Sequence, residues 1–165
     1  MLDTPSIRTT KVHWHDTIAS GDVVLFRFPI RNLKGESGDC KIRPCLVLER
    51  FEFDAGTFVE LCFGTTVPTR KASGLDVAIW QPELAQNSGL HHPTRFEGAR
   101  RVIVPVTHRN FEQRHASNSP VIGSLDPALS DRLDLVRDRI ARARKARTLK
   151  PSHSSRRTHL RKAAR

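Results

Sequence analysis

Tyrosine is absent from this 165-residue chain, methionine occurs once and cysteine three times. Cys40, Cys45 and Cys62 form no Cys-x-x-Cys pair, and their odd number argues against a disulfide framework or a cysteine-built zinc site. Cys45 and Cys62 sit inside apolar runs and read as small core hydrophobes. His13 and His15 have no nearby cysteine pair, and no Asp/Glu cluster has nuclease-like metal spacing, so neither a metal nor a cofactor is expected. Long hydrophobic runs are also missing. No stretch approaches the roughly 18 apolar residues of a membrane span, and the N-terminus lacks a signal-peptide core. The expectation is no membrane contact and a reducing cytoplasm.

Acidic residues are scarce in one place only. The formal charge is +11, yet residues 1–136 carry 16 basic and 16 acidic side chains. Residues 137–165 hold 12 basic residues against Asp138 alone, so the whole excess lies there. Beyond about residue 148 this segment has too few apolar residues to bury, and it is expected to be disordered and solvated. Such a tail either attracts phosphate backbones without selecting sequence or simply solubilises the terminus. The chain divides into an N-terminal extension (1–20), one domain (21–147) and a basic tail (148–165).

Within the domain, Ser20-Gly21-Asp22 leads into Val23–Phe28, a strand-like run rich in β-branched and aromatic residues and stopped by Pro29. Residues 32–39 have loop chemistry. Ile42–Phe51 and Thr57–Thr65 read as strands joined by a hairpin across Asp54-Ala55-Gly56. Further strands are predicted at Leu75–Trp80 and Arg101–Val106, with a weaker one near Thr94–Phe96, a turn at Gln86–Gly89 and a surface loop over His108–Ser119. Asp126-Pro127 opens a helix whose apolar stripe is Leu129, Leu133, Val136 and Ile140. These elements predict a small, mainly antiparallel β-barrel or sheet with a C-terminal amphipathic helix packed on it.

Two positions carry candidate chemistry. Arg43 stands at the mouth of the apolar run Cys45-Leu46-Val47-Leu48, sharing a face with Cys45 and Val47 while Leu46 and Leu48 point the other way. Thr65 ends the row Val59, Leu61, Phe63 on the neighbouring strand. A guanidinium fork and a hydroxyl at adjoining strand ends suit a phosphate. They equally suit structural duties, with Glu49 or Glu60 pairing Arg43 and the Thr65 hydroxyl capping a turn.

The series Gly21-Asp22-Val23-Val24-Leu25-Phe26-Arg27-Phe28-Pro29, a glycine-containing loop, Arg43-Pro44-Cys45-Leu46-Val47-Leu48 and then Gly64-Thr65-Thr66 resembles the MazF/PemK family of bacterial toxins, over roughly residues 20–140. The resemblance implies an SH3-like barrel, usually a homodimer, that cleaves single-stranded RNA without metal and is neutralised by a cognate antitoxin. It places Arg43 and Thr65 in catalytic positions. Many relatives have an Asp-Gln pair before an Arg-Thr strand, whereas this chain reads Glu97-Gly98-Ala99-Arg100-Arg101, so no acid is carried over.

The chemistry consistent with both lines is attack of a ribose 2′-hydroxyl on its own 3′-phosphate, giving a 2′,3′-cyclic phosphate and a 5′-hydroxyl. Arg43 and Thr65 would stabilise the transition-state oxygens. Arginine is too basic to accept the proton. His91 and His92 are physical candidates for that step, and as ordinary loop histidines they have the simpler reading. RNA contacts are expected from Lys34, Lys41, Thr66, Arg70, Lys71 and Arg95. Trp14 and Trp80 could stack bases, although Trp80 ends an apolar run and reads as core. The competing reading is a non-catalytic SH3-like module that binds nucleic acid or protein.

Overall fold

A strand with apolar residues on both faces must be covered twice, and the run Cys45–Leu48 sets this requirement for the whole sheet. The computed structural model describes residues 13–28, 40–67 and 74–148. The described elements run α1 (Trp14–Thr17), β1 (Asp22–Arg27), β2 (Ile42–Phe53), β3 (Gly56–Thr65), β4 (Asp76–Ile79), α2 (Pro82–Asn87), β5 (Thr94–Pro105), β6 (Val121–Ser124), a 3-10 turn (Pro127–Leu129) and α3 (Ser130–Thr148). The strands form one six-stranded sheet in the order β4-β5-β3-β2-β1-β6. All neighbours are antiparallel, and the sheet curls into a half-barrel.

Each face of the sheet has its own core. Val24, Phe26, Cys45, Val47, Val59, Leu61 and Phe63 pack on the first face with Trp14, Ile18 and Phe111. Val23, Leu46, Leu48, Cys62 and Phe96 pack on the second against Leu133, Val136 and Ile140 of α3. Alternation along β2 therefore feeds both layers, and the helical stripe buries where its spacing predicts. Asp126 accepts a hydrogen bond from the Ala128 amide at 2.9 Å and Pro127 follows it, so this helix start uses the expected cap. The β2–β3 hairpin closes where expected, with Phe53 opposite Gly56 and Asp54-Ala55 as the loop.

Four expectations change. The strands expected at Thr94–Phe96 and Arg101–Val106 are one strand, β5, which ends at Pro105, because a bulge at Gly98–Arg100 lets Cys62 pair with Arg101 while Phe63 pairs with Glu97. The turn expected at Gln86–Gly89 is shorter, since Gln86 and Asn87 end α2 and Ser88-Gly89 make the turn, with Gly89 in the left-handed region at φ 75°. Residues 13–20 are part of the fold, since Trp14 and Ile18 are buried in the first core. Trp80 is 51% exposed, because β4 turns Val77 and Ile79 inward and leaves Trp80 one step past the last paired residue.

No helix among the described residues is long and apolar enough to cross a membrane. The basic tail expected after Thr148 lies outside the described residues, as does the loop expected over residues 32–39.

Candidate functional site

The ends of β2 and β3 are drawn together by a glycine. Gly64 lies against the Pro44 carbonyl and the Phe96 ring, and a Cβ there would collide with that carbonyl. Only glycine permits this approach. It brings Arg43-Pro44 and Gly64-Thr65-Thr66 to one cleft, completed by Leu90, His91, His92 and Thr94. The cleft has a volume of about 150 Å³, smaller than the roughly 300–1,000 Å³ of drug-sized ligand sites.

Arg43 forms no ion pair among the described residues. The carboxylates that could have neutralised it are engaged elsewhere. Glu49 takes Arg137 at 2.7 Å, and Glu60 takes Arg101 at 3.0 Å and Arg144 at 2.7 Å. The Arg43 Nε is buried with no hydrogen-bond partner, a cost of about 1–3 kcal/mol for a stranded donor. Among the described residues the guanidinium is held by Phe63, whose ring centroid lies 5.3 Å from Cζ. A cation–π contact orients the charge without cancelling it.

Thr65 is buried, and its Oγ1 accepts a hydrogen bond from the Val67 amide at 3.1 Å. This is the turn-capping duty the sequence allowed. It also uses the oxygen as an acceptor and leaves the hydroxyl proton to donate elsewhere. Thr66 is exposed beside it, and Lys41 is exposed at the entrance to β2.

His91 and His92 are exposed and line the same cleft. With Arg43 they are its only titratable side chains among the described residues. The His92 carbonyl accepts from the Thr94 hydroxyl at 2.9 Å, fixing the chain as it enters β5. Cys45, next along β2, takes no part in nucleophilic chemistry, because burial pushes its thiol up to about 12. Burial likewise raises the Cys62 thiol well above its ordinary value.

Arg95 has a different setting from the other RNA-contact candidates. It is 5% exposed, with its guanidinium 2.5 Å from Glu97 and 3.8 Å from Asp76. Glu97 also meets Arg100 at 3.4 Å, so the carboxylate nearest the cleft in sequence is shared by two arginines. Lys34, Arg70 and Lys71 lie outside the described residues.

Sequence reasoning missed Arg100. Its Cζ sits 3.9 Å from the centroid of the Phe63 ring, the same ring that holds Arg43. The signal was the glycine at Gly98, which admits the bulge. The Gly98 amide bonds the Leu75 carbonyl at 3.0 Å, and that carbonyl leaves no room for a Cβ. Neither a protein-family model nor a curated protein matches this chain.

Proposed function

We propose that the chain is a metal-independent endoribonuclease of the toxin type, cleaving single-stranded RNA by internal attack of a 2′-hydroxyl. The observation that carries this reading is Arg43, a guanidinium in a cleft that forms no ion pair with any described residue while Glu49 and Glu60 are committed to other arginines. In this reading Arg43 and the Thr65 hydroxyl donate to the non-bridging phosphate oxygens, where charge grows in the transition state. The P–O2′ bond forms as the P–O5′ bond breaks, leaving a cyclic phosphate and a 5′-hydroxyl. The 2′-proton passes to one imidazole of the His91–His92 pair, and the 5′-oxygen gains a proton from the other. Single-stranded RNA as substrate, a homodimer and a cognate antitoxin belong to the same proposal.

The test is incubation of the purified protein with mixed-sequence RNA in EDTA, with product ends mapped, alongside Arg43→Ala. Cleavage to cyclic phosphate by the wild type, reduced about 100- to 1,000-fold in the variant, is expected for loss of one transition-state donor. Intact RNA with the wild type, or equal cleavage by both, sinks the proposal in favour of a binding module.

A further inference from the structure

A second surface lies at the far end of the same strands. Arg137 meets Glu49, and two turns later Arg144 reaches both Glu60 and the Phe51 ring, 6.0 Å from its centroid, so α3 follows β2 towards the hairpin tip. There the helix outruns its core. Residues 141–148 are all exposed, about 12 Å of helix that buries no apolar face. They carry Arg142, Arg144, Lys145 and Arg147 with no acidic residue.

Beside this helix end the hairpin presents aromatic rings. Phe51 and Phe53 are stacked at 5.8 Å and 17°, Phe58 meets Phe53 edge-on at 5.4 Å, and Phe53 is 56% exposed. Ile103 of β5, opposite Glu60 in register, extends the apolar surface and is 47% exposed. The acidic Glu52 lies on the other face, occupied by Arg50 and Thr57. The exposed ring of Phe53, backed by the half-buried Phe51 and Phe58, beside a row of exposed cations matches what single-stranded nucleic acid requires, stacking for bases and positive charge for backbone. A second copy of this chain would bring like charge to the same place.

We infer that the Phe51–Phe53 face of the hairpin and the projecting end of α3 form an accessory site for single-stranded RNA. The inference rests on the ribonuclease reading and extends it. From Gly56 to Thr65 β3 spans roughly 30 Å, so a short oligonucleotide at the Arg43 cleft cannot reach the hairpin tip, whereas a long one can. The site therefore selects for substrate length and leaves the chemistry alone.

The experiment measures binding of 2′-O-methyl RNA, which lacks the attacking hydroxyl, as oligonucleotides of about 3 and about 20 nucleotides, on the full chain. Phe53→Ala should weaken the long probe about 5- to 150-fold and leave the short one unchanged. Phe53→Leu, which keeps bulk without a π-face, should behave alike, and a thermal melt of each variant reports the fold. Lys145→Ala with Arg147→Ala should lower the slope of log K against log salt by about 1.4 for the long probe only. Equal long-probe binding by wild type and variants overturns the site. So does a Phe53→Ala effect confined to sedimentation, which would mark the face as a contact between copies. Because the probe cannot be cut, the two readings fail separately. Cleaved RNA with an indifferent Phe53→Ala removes only the accessory site, and a Phe53-dependent probe with uncut RNA removes only the nuclease.

Discussion

A guanidinium held against a phenyl ring keeps its charge for a ligand, whereas one held against a carboxylate does not. Arg43 and Arg95 show both cases in one sheet, at 5.3 Å from the Phe63 centroid and 2.5 Å from Glu97. Arg43→Lys should therefore recover little of the activity lost in Arg43→Ala, because an ammonium keeps the charge and loses the planar fork and the ring contact. Parallel kcat measurements on both variants check this, and wild-type rates in the lysine variant would reduce the arginine to a point charge. The thiols offer a second residue-level test. Burial raises both Cys45 and Cys62, to about 12 for Cys45, while Cys40 is exposed. An aromatic disulfide reagent at pH 8 should therefore find one fast thiol in the native protein and three after denaturation. Fast release of two or three from folded protein would contradict the buried positions.

At the scale of elements, the buried charges of β4 and β5 hold the sheet edge behind the cleft. Arg95→Leu should destabilise the fold by about 3–5 kcal/mol, since Glu97 and Asp76 lose a buried cation. Denaturant unfolding measures it, and an unchanged midpoint with lowered RNA affinity would move Arg95 to the binding surface. The α3 entrance carries a pH signature. Hydrogen bonds from the Asn87 amide and then the Ala128 amide hold the Asp126 carboxyl below the usual carboxylate range. A folded value below the unfolded one means this stabilisation is present above the ordinary carboxylate pKa and fades as pH falls through the lower, folded value. Asp126→Ala should accordingly flatten the acid limb of a Tm-against-pH curve, and an unchanged limb would assign acid sensitivity to other carboxylates. Legibility also sorts by element. β1, β2 and β3 were readable as short apolar runs at Val23–Phe28, Cys45–Leu48 and Phe58–Phe63 bounded by turn residues, and α3 from the helical stripe Leu129–Ile140. β6 has four residues including Gly123, and α2 has six, too few for a period to register. The candidate site was half legible. Arg43 and Thr65 could be chosen from strand ends, but the Phe63–Arg100 contact depends on a bulge that no local periodicity encodes.

For the whole molecule, the net charge and the Arg43 cleft are separated in sequence. The first 136 residues are neutral in sum, the Arg43 cleft lies within them, and the excess of +11 belongs to residues 137–165. A neutral body gives an RNA little long-range attraction, so capture should depend on the C-terminal cations while cleavage position depends on the cleft. Residues 149–165 carry six of those cations and no acid. Their removal can lower the salt slope for single-stranded RNA by at most about 4, at about 0.7 for each phosphate no longer neutralised. The expected outcome for the truncated chain is weaker, less salt-sensitive binding with an identical cleavage pattern on mixed-sequence RNA. Affinity titrations over a salt series, run beside end-mapping of the products, measure both halves. A shifted cleavage pattern would mean that the tail reads sequence, and an unchanged salt slope would mean that the exposed cations of α3 already supply the capture.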